Sequence, residues 1–395
     1  MLHICDINNF YSLTGGGVNT YHQNKLAYFR QRGDIRYTLF QPDDHEAIET
    51  QGHLGHVRIV HFPGFKGNPP YRYMFDPYRM HRILQQLDPN LIEIGSGYLL
   101  PWVVRLATIG TRAVLTGFWH ADYPRAYVRR RLSPISLLLA RVVERMAWWY
   151  VGQTYGRYTA TFAAADCVVR DLREHGVPHV LQTPLGVDLD RFHPNRQEPA
   201  LRQRIGAADG RPVLLFPHRL QEEKGLSTLI QAFPRIYRAH RPVLVVAGDG
   251  PRKPALDAFM AHQPDVHYLG YIDDPDELAC WYATSDAVFS LSPFETFGLS
   301  AAEAMASGSA LIAADRSAVR EFVVRADCGV MVPYNDADAL AARTVDLLGS
   351  GRLTEAGHNG YCYATQHFSW TAAFDRMVDY YHDLVASSPF ACARR

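Results

Sequence analysis

Short apolar runs alternate along this 395-residue chain with longer stretches whose apolar positions recur at helical spacing. Residues 1–6, 113–115, 213–216 and 243–246 read as short buried strands. A helix is expected to open within Thr14-Gly15-Gly16-Gly17-Val18-Asn19-Thr20-Tyr21, and others near Leu226, over 299–306 and over 339–348. A last helix is expected over 370–384, with Phe374, Met377, Val378 and Tyr381 on one side. Strands alternating with helices predict an α/β chain: parallel sheets covered by helices on both faces. The length suits two domains with separate cores, and the polar stretch 195–211, with Pro199, Gly206 and Gly210, is the expected boundary.

Charge refines this picture locally. Forty Lys and Arg balance forty Asp and Glu, but the stretch through Asn195 holds a basic excess and the remainder an acidic one. The basic excess concentrates at Arg125, Arg129, Arg130 and Arg131, beside Tyr123 and Tyr127. It precedes a helical pattern with apolar Ile135, Leu138, Leu139, Val142, Val143, Met146 and Trp149. Such a segment suits an anionic membrane surface; the alternative is a solvated Arg face over a core-facing stripe. Arg141, Glu144 and Arg145 interrupt the segment, so it is not expected to span a bilayer. With no net basic charge, nucleic-acid binding is not expected. Six scattered cysteines without a CxxC pairing, and no basic leader before the first strand, point to the cytoplasm.

Chemistry gathers in two segments. In Ser292-Pro293-Phe294-Glu295-Thr296-Phe297-Gly298-Leu299-Ser300, and on to Glu303, two carboxylates lie across a helix start. The first N–H groups of a helix lack internal partners and attract phosphate, and carboxylates accept hydrogen bonds from sugar hydroxyls. Upstream, Phe216-Pro217-His218-Arg219-Leu220-Gln221-Glu222-Glu223-Lys224-Gly225 places Arg219 and Lys224 between a strand and the next helix. The chain has only four lysines (Lys25, Lys66, Lys224 and Lys253), which sets Lys224 apart from surface decoration. A guanidinium fork with an ammonium suits a diphosphate.

Together these residues resemble retaining glycosyltransferases of family 4, with their Glu-x7-Glu motif and Gly-Arg-Leu-x-x-Glu-Lys-Gly loop, His218 standing where Gly is usual. Ala247-Gly248-Asp249-Gly250-Pro251, Leu269-Gly270-Tyr271-Ile272 and Pro184-Leu185-Gly186-Val187-Asp188 are similar to further family segments in the same order. His120-Ala121-Asp122-Tyr123-Pro124 resembles the His-x-Asp-x-Pro segment of members that glycosylate lipids and related acceptors. A Ser317-Ala318 pair stands where relatives commonly show Gly-Gly.

The resemblance implies the GT-B fold, two Rossmann-like doubly wound domains facing a cleft. Residues 1–195 would bind the acceptor, 196–369 the nucleotide sugar, and a helix within 370–395 would return to the first domain. It implies catalytic roles for His120, Arg219, Lys224 and Glu295. Donor contacts would come from Gly16, Gly17, Gly248, Ile272, Phe297, Gly298, Leu299, Ser300 and Glu303. The expected reaction moves a hexose from a UDP- or GDP-sugar to a lipid or glycan hydroxyl with retention. Breaking the sugar–phosphate bond leaves charge on the diphosphate, so preorganised donors are the main requirement. Asp336-Ala337-Asp338 has metal-binding spacing but precedes a helix, where capping explains it better; no metal or cofactor is expected. A GT-B-like phosphorylase or epimerase, and a non-catalytic sugar-nucleotide binder, are the alternatives.

Overall fold

Runs of branched apolar residues form strands buried on both faces, and helices with one apolar stripe cover them. The computed structural model describes residues 1–11, 16–51, 55–67, 71–133 and 135–389; Thr14 and Gly15 of the glycine loop lie outside them. The chain divides into two compact units, 1–184 with 371–395, and 185–370. The division falls at Pro184/Leu185, ahead of the polar stretch 195–211, which instead opens the second unit with a short helix, Pro199–Arg204.

The first unit holds strands β1 (Leu2–Ile7), β2 (Ile35–Asp43), β3 (Ala47–Gln51), β4 (Val57–Pro63), β5 (Leu91–Ile94), β6 (Val114–Phe118), β7 (Ala160–Ala163) and β8 (Val180–Gln182). Their order is β8-β7-β6-β5-β1-β2-β4-β3, parallel except where β3 pairs antiparallel with β4. Helix α1 (Gly17–Arg30) follows β1. It buries Lys25, whose Nζ lies 2.8 Å from Asp6 Oδ2 and 2.7 Å from Glu93 Oε1. A wholly buried ammonium persists only with such paired partners. The terminal helix Trp370–Ala386 joins this cluster: Tyr381 donates to Glu93 (2.5 Å) and accepts from Lys25 (3.1 Å). Phe374, Met377, Val378 and Tyr381 are buried, so polar and apolar contacts both hold the helix to the first unit.

Helix α2 (Leu137–Tyr155) turns the other way from the core-facing alternative. Ala140, Trp148, Val151 and Tyr155 face inward, while Leu138, Val142, Met146 and Trp149 are exposed, at 73%, 49%, 61% and 66%. The most apolar stripe of this helix therefore has no cover among the described residues. Among the described residues, no helix is long and apolar enough to cross a membrane.

The second unit is built on β9 (Val213–Phe216), β10 (Val243–Ala247), β11 (Val266–Gly270), β12 (Ala287–Ser290), β13 (Ala310–Ala314) and β14 (Gly329–Val332). All pair in parallel in the order β11-β10-β9-β12-β13-β14, the doubly wound arrangement. Helix α3 (Leu226–His240) follows β9, and the helices α4 (Pro275–Thr284) and α5 (Leu299–Ala306) flank β12 in the chain. The winding direction reverses between β9 and β12, where open α/β sheets leave a crevice beyond the strand ends.

Candidate donor site

The loops leaving β9 and β12 flank this reversal, and each carries one of the charged segments. Lys224 Nζ, from the β9 loop, lies 2.5 Å from Glu295 Oε1 of the β12 loop. Both side chains keep about a fifth of their surface exposed, at 19% and 18%. Arg219 is exposed in the same loop and has no carboxylate partner among the described residues. Its charge, with that of Lys224, reaches Glu295. Burial, the largest single influence, would raise the Glu295 carboxyl, but the charge and hydrogen bond of Lys224, with Arg219 beyond, together hold the group below the usual glutamate range.

The β12 loop ends at Gly298, which enters α5 with φ 93° and ψ 63°. A side chain there would strike Val319, 2.4 Å from an added Cβ. Gly298 offers no capping oxygen, so the first helical N–H groups, at Leu299 and Ser300, have no capping acceptor among the described residues. Phe297 sends its ring inward against Phe322 (5.2 Å) and Phe368 (5.3 Å), so only its backbone remains for a ligand. The Ser317-Ala318 pair braces this loop: Ala318 N donates to the Glu295 carbonyl at 3.1 Å, and Ser317 Oγ to Ala314 O at 3.3 Å.

Glu303 lies one helical turn inside α5 and accepts a hydrogen bond from Tyr282 of α4. Burial, only partly offset by that bond, raises its carboxyl to about 7. The two carboxylates thus differ in kind: Glu295 is ionised by its lysine, and Glu303 is poised near neutrality. Tyr282 has no signal in the sequence, since only the packing of α4 on α5 brings it to Glu303.

His218 does not enter the ligand space that its position suggested. Its ring is buried, with Nε2 2.7 Å from the Phe289 carbonyl, tying the β9 loop to β12. Burial, then the Lys224 charge, lowers it to about 4, so it is neutral and donates from Nε2. Gly248 lies under the same loop with φ 136°, and an added Cβ would come 2.2 Å from the His218 carbonyl oxygen. Leu220 N donates to Asp249 O at 2.9 Å, completing the contact between the β9 and β10 loops. Ile272 follows β11 on the same edge of the sheet, half-buried.

The first unit holds the other expected residues. Gly16 caps α1 with φ 97°, and Gly17 is its first residue. His120 follows β6, its ring stacked on Phe118 at 4.3 Å and 5.0 Å from Tyr21 of α1. Burial, then the charges of His22 and Lys25, pushes it well below the usual histidine range, leaving a neutral imidazole. Asp122 plays an orienting part: it accepts from Arg125 N at 3.2 Å, and Arg125 continues to Asp171 at 2.5 Å. Asp336 caps the helix Ala337–Gly349 through Ala339 N, and Asp338 pairs with Arg235.

This geometry offers a diphosphate two cations and an uncapped helix start, and offers hydroxyls two carboxylates. Comparison with known proteins gives the family and the fold. The GDP-mannose-dependent alpha-mannosyltransferase of Corynebacterium glutamicum is 24% identical over 310 residues, 78% of this chain and 70% of that protein. The GDP-mannose-dependent alpha-(1-6)-phosphatidylinositol dimannoside mannosyltransferase of Mycobacterium tuberculosis is 26% identical over 358 residues, 87% of each chain. Among solved structures, sucrose-phosphate synthase from Thermosynechococcus elongatus superposes with TM-score 0.79 at 20% identity, over 98% of this chain and 100% of that one. Anabaena HepE in complex with UDP-glucose gives 0.71 at 17%, over 97% and 100%. Residues 15–191 match the family model described as Glycosyltransferase Family 4, and 211–350 match that described as Glycosyl transferases group 1. Between them the two glycosyltransferase models match segments of both units, and the chain is a hexosyltransferase of the GT-B fold.

Proposed function

We propose that this chain transfers a hexose, with retention and without a metal, from a nucleoside-diphosphate sugar to a hydroxyl of a membrane-borne glycolipid or glycan. The carrying observation is the Lys224–Glu295 pair beside Arg219 and the uncapped start of α5. Arg219, Lys224 and the backbone N–H groups of 297–300 are assigned to the departing diphosphate. Glu295 is assigned to the hydroxyls of the transferred sugar, Glu303 to the ribose, and Gly248 and Ile272 to the nucleotide's frame. His120, in its His-x-Asp-x-Pro segment, is assigned to the reacting sugar, and Gly16 and Gly17 to close backbone approach. The acceptor hydroxyl attacks the anomeric carbon from the face that the phosphate leaves, and the leaving phosphate oxygen takes its proton.

Two sequence relatives are named for GDP-mannose, which favours that donor over UDP-glucose. The uncovered stripe Leu138, Val142, Met146 and Trp149, with exposed Arg141 and Arg145 between, supports peripheral docking on the anionic inner face of a membrane. A thermal-shift panel of GDP- and UDP-sugars tests the donor, and NMR of the product tests retention; an inverted anomer defeats the mechanism. Nucleoside diphosphate released only when an acceptor is present excludes the epimerase or phosphorylase alternative; an epimerised sugar nucleotide, or a sugar phosphate formed with inorganic phosphate, would favour it. Vesicle flotation tests docking, and binding that ignores lipid charge counts against it.

A further inference from the structure

At the edge of the first unit's sheet, three strands bring metal-ligating side chains to one face. His61 of β4 pairs in register with Gln41 of β2 on one side and Ala47 of β3 on the other. Residues two apart along a strand share a face, so Asp43 and Glu49 are its diagonal neighbours on that face. The turn between β2 and β3 then folds His45 over the group, its ring nearly parallel to that of His61 (14°) at 5.3 Å.

The donor atoms converge. His61 Nδ1 is 2.8 Å from Asp43 Oδ2, and His45 Nδ1 is 3.3 Å from Asp43 Oδ1. One ligand atom from each of Asp43, His45 and His61 lies within 4.8 Å of the others. A tetrahedral ion with bonds of about 2.1 Å needs donors about 3.4 Å apart, within reach of these separations by side-chain rotation. The other nitrogen of His61, Nε2, lies 3.2 Å from Glu49 Oε1. A metal-bound imidazole characteristically donates its second N–H to such a carboxylate, which fixes the tautomer and raises ligand basicity. Asp44 Oδ1 also meets His45 Nδ1, at 3.0 Å, while its Oδ2 faces Arg72 at 3.7 Å; an ion at Nδ1 would displace the first contact, and Asp44 is not needed as a ligand.

We propose that Asp43, His45 and His61 form a binding site for a zinc-class divalent ion, with Glu49 as the outer carboxylate of His61. Two imidazoles with one carboxylate select borderline transition metals over magnesium or calcium. Water or a second carboxylate oxygen completes the fourth position. The ion ties the edge strand β3 to β2 and β4, an exposed end of the sheet otherwise held by a single ladder. No residue of this site belongs to the donor loops, so the inference stands apart from the proposed transferase chemistry.

Zinc chloride titrated into the full chain, followed by calorimetry and thermal denaturation, tests the site. One equivalent is expected to bind and to raise the midpoint of the first unit by about 3 °C at tenfold excess. His45→Gln, at an exposed position, should leave the zinc-free midpoint unchanged and abolish the shift. Glu49→Gln should weaken binding at least about tenfold. The exposed Cys362–His358 pair, 3.5 Å apart, is the competing soft site. His358→Ala should leave the one equivalent intact. Zinc binding retained in His45→Gln, lost in His358→Ala, absent from the wild type, or matched by magnesium overturns the proposal.

Discussion

Glu303→Gln should stabilise the protein while crippling donor binding. The Glu303 carboxyl is raised by burial from 4.5 to about 7, so the folded state holds its proton more tightly than the unfolded chain does. Stability from this group is therefore full below pH 4.5 and is lost as pH rises from there through about 7, after which it stays lost. At 1.36 kcal/mol per unit the change is worth roughly 3 kcal/mol. Partial exposure of Glu303 screens part of this, leaving about 2 kcal/mol. Gln mimics the protonated acid and can still accept from Tyr282, so it removes the pH dependence. At pH 8 the variant's second unit should melt about 4–8 °C above wild type, and at pH 4.5 the two should coincide. Its donor affinity should fall about 10- to 100-fold, the value of hydrogen bonds to a charged acceptor. Wild-type affinity should itself fall by up to about tenfold per pH unit below 7 as the carboxylate protonates, levelling off at the affinity of the variant. Differential scanning fluorimetry between pH 4.5 and 8, with and without GDP-mannose, reads both effects. A stability gap that is the same at every pH refutes the reasoning.

Other outcomes follow from the same geometry. Lys224→Ala removes one cation assigned to the leaving diphosphate and should lower kcat by about 10²- to 10³-fold, measured as acceptor-dependent nucleotide release. It also leaves Glu295 without its ion pair, so the same variant should lose the donor-induced thermal shift. His120→Asn should spare the donor-induced shift and lower turnover; equal loss of both would place His120 in donor binding alone. Gly248→Ala forces a Cβ to 2.2 Å from the His218 carbonyl at φ 136°. It should cost about 3 kcal/mol or more and lower the midpoint of the second unit, which thermal denaturation reads.

Much of the donor site was legible because its geometry is local. Seven residues separate Glu295 from Glu303, and a loop followed by a helical turn brings both carboxylates to one helix start. Arg219 and Lys224 were readable because a loop after a buried strand must emerge at the strand's carboxyl end, where such sheets bind ligands. The orientation of side chains was not legible. His218 turns inward to Phe289, and Phe297 joins Phe322 and Phe368, although both stand in ligand-facing segments. The stripe of α2 had helical spacing in either case, and periodicity alone does not say whether the core or solvent faces it.

Sequence by itself therefore determined the alternation of strands and helices, the charged loops, and the side-chain chemistry of the candidate donor site, because each depends on neighbours a few residues apart. Tertiary structure decided which of two carboxylates is ionised, which lysine is buried, and which side of α2 is left open. Those outcomes depend on groups far apart in the chain, such as Tyr282 with Glu303 and Tyr381 with Glu93. The cluster of Asp43, His45, His61 and Glu49 belongs to the same class. Its residues carry no motif spacing, and only strand register and a turn make them neighbours.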